Sequence, residues 1–361
     1  MSRRRVYLHV GAPKTGTTYL QDRLTLNAAS LSRHGVHFPS RNRLTDTQRF
    51  HFRAALDLLG EDWGGEPGHA AGAWDAMVRR LRRASGSSIL SHEILAPAPA
   101  VAIERAMADL QGREVHIVYS VRDLGRQLPA AWQESIKQGD RWTFHTFLNR
   151  VEKGTPWFFR ALDLPRVLSR WGAHLPPERV HVVTVPHQRD ETLWLRYCEA
   201  LDLDPAWAPV DSDQDNRSLG VAETQLVRRL NRRVPRRERR GATYDRLIRE
   251  LLAQENLARR SSAPVRLAPD RFPWAEEQAQ LWIDWLVGSG VHVVGDLEDL
   301  RPRRPPADQR WFDPDRVTAK PLLGAALDAL EAMTHEAATR TPPELQLSGK
   351  VRTGAKRLRG R

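Results

Sequence analysis

With 361 residues, 40% hydrophobic and 28% charged, the chain can bury a full core as one large domain or as a core with an appended lobe. No apolar run approaches membrane-spanning length, and Cys198 is the single cysteine, so a transmembrane span and an intrachain disulfide are excluded. The formal net charge of +12 fits either a solvated basic surface or a field that attracts an anionic ligand.

The chain opens MSRRR and enters its first strand pattern without an apolar leader stretch, which with the lone cysteine reads as a cytoplasmic protein. Arg5 to Leu24 (RVYLHVGAPKTGTTYLQDRL) reads as strand, tight loop, helix. Val6, Leu8 and Val10 form the apolar run of a buried parallel strand. Gly11 to Thr18 then supplies turn residues, one cation and hydroxyls, and Thr17 or Thr18 is expected to cap the helix that follows. A loop feeding a helix N-terminus offers backbone N–H groups and the helix dipole to an anion, so this stretch reads as a phosphate cradle. It is not a Walker A loop, because Lys14 precedes Gly16 instead of following it. Only six of the 56 basic residues are lysine, Lys14 and Lys137 among them. Where lysine persists in an arginine-rich chain, a compact point charge can be what the position needs.

A short strand follows at 35–39, then a weakly patterned insertion at 40–72 with helix at 49–59 and a glycine-rich loop at 60–72. Helix is expected at 74–84, strand at 87–91 ending on His92-Glu93, and helix at 99–110 with Pro99 at its start. The strand at 114–121 ends on Arg122-Asp123. Helices follow at 125–137, 143–151 and 164–175, then strand 180–185 and helix 191–201. This β-then-α alternation predicts the α/β class, a P-loop-type parallel sheet flanked by helices. The reading is of a core at 1–204, a mainly helical extension packed on it at 205–338, and a basic tail at 339–361. The linker at 205–218 carries Asp211, Asp213, Asp215 and Asn216 without the later spacing of a calcium loop. Helices are expected at 219–233, 244–257, 273–286 and 320–334, with a last strand at 291–294. Trp274, Trp282 and Trp285 lie at core-like helical spacing. The thirteen histidines show no metal-ligand spacing, so no metal site is expected.

In an open α/β sheet, ligands collect beyond the carboxyl ends of the strands. Three strand ends carry polar chemistry: Lys14, His92-Glu93 and Arg122. The order G-x-P-K-x-G-[ST]-[ST] at 11–18 resembles the 5′-phosphosulfate loop of the sulfotransferases that use 3′-phosphoadenylyl sulfate (PAPS). The stretch VYSVRDLGRQLPAAWQESIK resembles their 3′-phosphate element, with Arg122 at the arginine and Trp132 at the aromatic. The resemblance spans about the first 200 residues and is closest to the divergent bacterial sulfotransferase-like proteins. It implies a PAPS-dependent sulfotransferase: metal-independent, in-line transfer of a sulfuryl group to a hydroxyl or amine. The acceptor is then a small molecule or a glycan, nucleic acid being disfavoured for want of a binding motif.

By this resemblance Lys14 sits near the bridging oxygen and Gly11, Pro13, Thr15, Gly16, Thr17 and Thr18 surround the 5′-phosphate, while Arg122 anchors the 3′-phosphate. The family serine eight positions after that arginine is Ala130 here, with Arg126 or Gln127 as possible stand-ins. For the base, Glu93 is preferred over His92. Strand alternation is expected to send only one of the two toward the cofactor, and Asp57, Glu61 and Asp62 are held in reserve. Two further readings stay open: a non-catalytic nucleotide-binding descendant, which Ala130 would suit, and a P-loop phosphotransferase. The basic runs at 228–240 and 350–361 read as a solvated helix face and a tail, or as attraction for an acidic ligand.

Overall fold

The computed structural model describes residues 4–41, 46–63, 65–155, 157–188, 190–213, 218–306 and 308–340. Asp215, Asn216 and the basic run at 350–361 lie outside them. Six strands form one sheet: β1 (Arg5–Gly11), β2 (Val36–His37), β3 (Ser87–Ser91), β4 (Glu114–Val121), β5 (Val180–Thr184) and β6 (His292–Val294). Every pairing is parallel, in the order β2-β3-β1-β4-β5-β6. The chain builds outward from β1 in both directions, so the point where strand order reverses lies at the end of β1, between β3 and β4. Leu8 registers with Leu90 on one side and Ile117 on the other.

Alternation along the central strands separates two cores. Val6, Leu8, Val10, Ile117 and Tyr119 face one helical layer. It is built from α3 (Thr47–Leu59), α4 (Ala73–Arg83), α5 (Ala100–Asp109), α6 (Leu124–Lys137), α7 (Phe144–Glu152), α8 (Trp157–Leu162) and α9 (Leu164–Trp171). Tyr7, Ile89, Val118 and Val183 face α1 (Thr17–Leu26), α2 (Ala28–Arg33) and α10 (Thr192–Ala200) on the opposite side. The buried indoles of the larger core keep their N–H groups satisfied: Trp74 donates to Asp109 at 2.7 Å, and Trp171 to the Leu95 carbonyl at 3.0 Å.

Beyond residue 205 the chain is mainly helical. It holds α11 (Val221–Arg233), a single turn α12 (Ala242–Tyr244), a stretch with i→i+5 winding at Asp245–Asn256, α13 (Phe272–Ser289) and α14 (Ala319–Thr339). Its one strand, β6, pairs with β5 and so enters the core sheet. Trp282 is buried, and Trp274 and Trp285 pack half-buried against the same core, so α13 is a core helix. Among the described residues, no helix is long and apolar enough to cross a membrane, and no group of three or more His, Cys, Asp or Glu side chains is arranged to hold a metal ion.

Candidate functional site

A groove of about 3070 Å³ opens over the carboxyl ends of β3, β1 and β4. Lys14, Thr15, Gly16, Thr17 and Thr18 line it from β1, His92 and Glu93 from β3, and Arg122 and Ala130 from β4 and α6. Gly11 is not part of the lining. It passes beneath the turn after β3, where a Cβ would meet Ala96 Cβ at 3.1 Å, and its φ is +139°.

The loop is held by its carbonyls. That of Ala12 accepts from Thr15 Oγ1 (2.6 Å), that of Pro13 from the Gln127 amide, that of Lys14 from Arg122 Nη1 (3.4 Å), and that of Thr15 from the Tyr197 hydroxyl (3.4 Å). The carbonyl of Gly16 accepts from Leu20 N–H at 3.0 Å. Five successive carbonyls are thus tied to the protein, which removes the groups that would repel an anion.

Helix α1 starts at Gly16, whose φ is +93°, and no side chain caps it. Thr17 and Thr18 therefore stand inside the first turn and are not caps, and the helix N-terminus remains available to a ligand oxygen. Lys14 adopts φ +66°, a left-handed conformation that costs a non-glycine residue about 1 kcal/mol and persists where the surroundings impose it.

Gly16 has two reasons to be glycine, its φ and the approach of Leu193 Cδ2 to 2.8 Å from a built Cβ. Gly16→Ala is expected to cost about 1–2 kcal/mol of stability and to open the loop. An unchanged urea midpoint together with unchanged nucleotide affinity would contradict this.

Beneath the loop lies a buried polar relay. His9 Nδ1 meets Ser91 Oγ at 2.8 Å and Nε2 meets Ser120 Oγ at 2.9 Å. Gln21 donates to Ser91 Oγ at 3.1 Å, Ser120 Oγ donates to the Gly11 carbonyl at 3.1 Å, and the Tyr197 hydroxyl donates to Ser120 Oγ at 3.0 Å. Burial pushes the His9 imidazole down to about 4, with Glu93 opposing and His92 adding to the effect. A neutral ring with one N–H then links β1, β3 and β4 under the cradle.

The strand β3 stops at Ser91, and Glu93–Leu95 forms a 3-10 turn. Alternation ends with the strand, so His92 and Glu93 both line the groove, contrary to the expectation that only one would. His92 Nδ1 accepts the Ile94 N–H at 3.3 Å and caps the turn, while its ring packs on Phe52 at 5.0 Å. Burial lowers the His92 pKa, Glu93 partly restores it and Arg249 lowers it again. Burial works against the Glu93 carboxylate, but His92, the local backbone N–H, Lys14 and His9 together hold it below its ordinary value. Of the reserve carboxylates, Glu61 and Asp62 line the groove, whereas Asp57 caps α4 by accepting the Trp74 N–H at 2.8 Å.

Neither expected stand-in for the missing hydroxyl at Ala130 is at liberty. The Arg126 guanidinium is bound to Asp123 and to the carbonyls of Pro186 (2.8 Å) and Val185 (3.1 Å), and the Gln127 amide N–H to Pro13.

The residue that sequence reasoning missed is Glu134. Its carboxylate is 8% exposed and accepts from Lys14 Nζ (3.0 Å), Lys137 Nζ (2.7 Å) and Arg249 Nη2 (3.1 Å). Burial opposes its charge, yet the three cations keep the carboxyl well below its usual range. Burial also lowers the Lys137 pKa, with Glu134 opposing and the neighbouring cations adding to it. The available signal was Lys137, a rare lysine one turn after a glutamate on a helix that is otherwise mostly buried.

No protein-family model matches the chain, and no curated protein matches it. Among solved structures it is similar to a sulfotransferase from Alicyclobacillus acidocaldarius, at 16% identity and a TM-score of 0.35, over 57% of this chain and 83% of that one.

Proposed function

We propose that this protein transfers a sulfuryl group from PAPS to a hydroxyl or amine of an acceptor seated in the same groove. The observation that carries the reading is the adjacency of β3, β1 and β4, which brings Glu93, the Lys14 loop and Arg122 to one opening. PAPS supplies the activated sulfuryl group and a phosphate leaving group. The uncapped start of α1, the loop amides and the hydroxyls of Thr17 and Thr18 suit its 5′-phosphate, and Arg122 suits the 3′-phosphate. Thr15 offers only its amide, since its hydroxyl is buried against Ala12 and Ser120. Lys14 faces the negative charge that builds on the phosphate oxygen as its bond to sulfur breaks.

Glu93 is the base. The Nδ1 lone pair of His92 is committed to the Ile94 N–H, so a neutral ring carries its proton on Nε2 and can only donate there. Glu93 stays ionised near Lys14 and takes the acceptor proton as the new oxygen– or nitrogen–sulfur bond forms. Glu93→Gln is expected to retain donor binding and to lose transfer by about 10²–10⁴-fold. His92→Asn, which can still cap the turn, is expected to lose far less. Calorimetry with 3′,5′-adenosine bisphosphate and a labelled-sulfate transfer assay separate the two effects. The reverse ranking would give the role to His92. Full activity in both variants would move the base to Glu61 or Asp62.

A further inference from the structure

Nothing in sulfuryl transfer as described above requires Glu134, yet it is the most densely paired carboxylate at the groove. It takes three cations from three places: the loop after β1, its own helix α6, and the Asp245–Asn256 segment of the C-terminal extension. Gln138 adds a fourth donor at 3.4 Å. An ion pair that served stability alone would not need this ratio. Burying a carboxylate costs several kcal/mol, and apolar packing commonly stabilises as well. Three cations around one carboxylate also repel one another. Two of the chain's six lysines, Lys14 and Lys137, meet here, although arginine is the default elsewhere.

We propose that Glu134 is a positioning residue: it aims the Lys14 ammonium into the groove and, through Arg249, fastens the C-terminal extension against the anion loop. The geometry supports both halves. Lys14 holds a left-handed backbone conformation, and its side chain, 35% exposed, ends on Glu134 Oε2. The other carboxylate oxygen, Oε1, accepts Arg249. One carboxylate thus bridges a loop at residue 14 and a segment more than 200 residues later, so the loop is fully assembled only when the extension is seated. The inference uses the reading of the groove as a donor site only for what Lys14 is aimed at. The bridge itself is independent of the ligand.

The test reads Lys14 directly, without substrate. Wild-type protein, Glu134→Gln and Glu134→Asp are exposed to a neutral amine-acylating reagent at one pH, and labelling is quantified by peptide mass spectrometry with exposed Lys153 as internal control. Losing the ion pair frees the amine and lowers its pKa. Glu134→Gln should therefore raise Lys14 labelling at least about threefold, with Lys153 unchanged and Glu134→Asp returning toward wild type. Hydrogen exchange in 245–256 should rise in Glu134→Gln and in Arg249→Met, with Lys14 labelling in Arg249→Met staying nearer wild type. Unchanged Lys14 labelling in Glu134→Gln, or equal increases in the Gln and Asp variants, would overturn the proposal. If Glu134→Gln does not fold, Arg249→Met decides: unchanged exchange in 245–256 overturns the bridge. A labelling response in a protein that binds no 3′,5′-adenosine bisphosphate would leave the positioning role standing and remove the donor assignment. Binding without a labelling response would do the opposite.

Discussion

Replacing Lys14 with alanine should lower kcat by about 10²–10³ while moving the thermal midpoint by no more than a few degrees. The asymmetry follows from the surroundings of Glu134. Without Lys14, the carboxylate still accepts from Lys137 at 2.7 Å and Arg249 at 3.1 Å, so no buried charge is left unpaired. The loop keeps its carbonyl contacts to Arg122, Gln127 and Tyr197, none of which uses the Lys14 side chain. What disappears is a charge held beside the reacting phosphate. Lys14→Arg should rescue poorly, because a planar fork does not replace a point charge at a site shaped around one. Transfer at the wild-type rate in Lys14→Ala, with the same acceptor, would remove Lys14 from the chemistry.

The protein should lose most of its stability between pH 7 and pH 5. Three buried histidines are held neutral by burial: His9 down to about 4, and His51 and His181 each to about 3. Their bonding explains why they resist a proton. His51 Nε2 donates to the Pro39 carbonyl at 2.9 Å, and its Nδ1 accepts the Ser91 N–H at 3.2 Å. His181 sits in a ladder across β4, β5 and β6, with Nε2 2.8 Å from His116 Nδ1 and Nδ1 2.9 Å from His292 Nδ1. His116 Nε2 donates onward to Glu114 at 3.0 Å. In the unfolded chain these rings take up protons near pH 6.5. The unfolded state therefore binds more protons from pH 6.5 down through the folded pKa values, and stability falls as pH falls. Each ring contributes about 2 kcal/mol between pH 7 and 5, roughly 6 kcal/mol together, against a typical total of about 5–15 kcal/mol. Urea midpoints measured from pH 7.5 to 4.5 check this. A flat profile down to pH 5 would mean that the three rings are not held neutral.

The sequence made the framework legible because its signals are local. The strands at 87–91 and 114–121 match β3 and β4 residue for residue, since apolar runs bounded by polar strand ends say where a parallel strand stops. The strand-end rule then places Lys14, Glu93 and Arg122 at one edge before any contact is seen. What stayed hidden depends on distance along the chain. Lys14 and Glu134 are 120 residues apart, and Glu134 and Arg249 a further 115, so no window contains the cluster. His9 lies inside an apolar strand pattern, and its partners Ser91 and Ser120 come from two other strands. The cap at α1 was misplaced because threonine is the better N-cap by preference, whereas here the left-handed turn at Gly16 decides. Helix α8, six residues long, is too short to show a period.

The central claim is that the groove is built for a nucleotide with phosphates at both the 5′ and 3′ positions. Thermal shift measures it directly, with 3′,5′-adenosine bisphosphate, AMP, and ATP plus Mg²⁺ compared at equal concentrations in the wild type and in Arg122→Met. At about 100 times its Kd, the bisphosphate should stabilise the wild type by about 2.7 kcal/mol, a rise of roughly 3 °C for a chain of this length. AMP should do less, ATP with Mg²⁺ less again, and Arg122→Met should erase the difference between bisphosphate and AMP. Stabilisation by ATP with Mg²⁺ above that by the bisphosphate, or equal effects of bisphosphate and AMP on the wild type, would contradict the account.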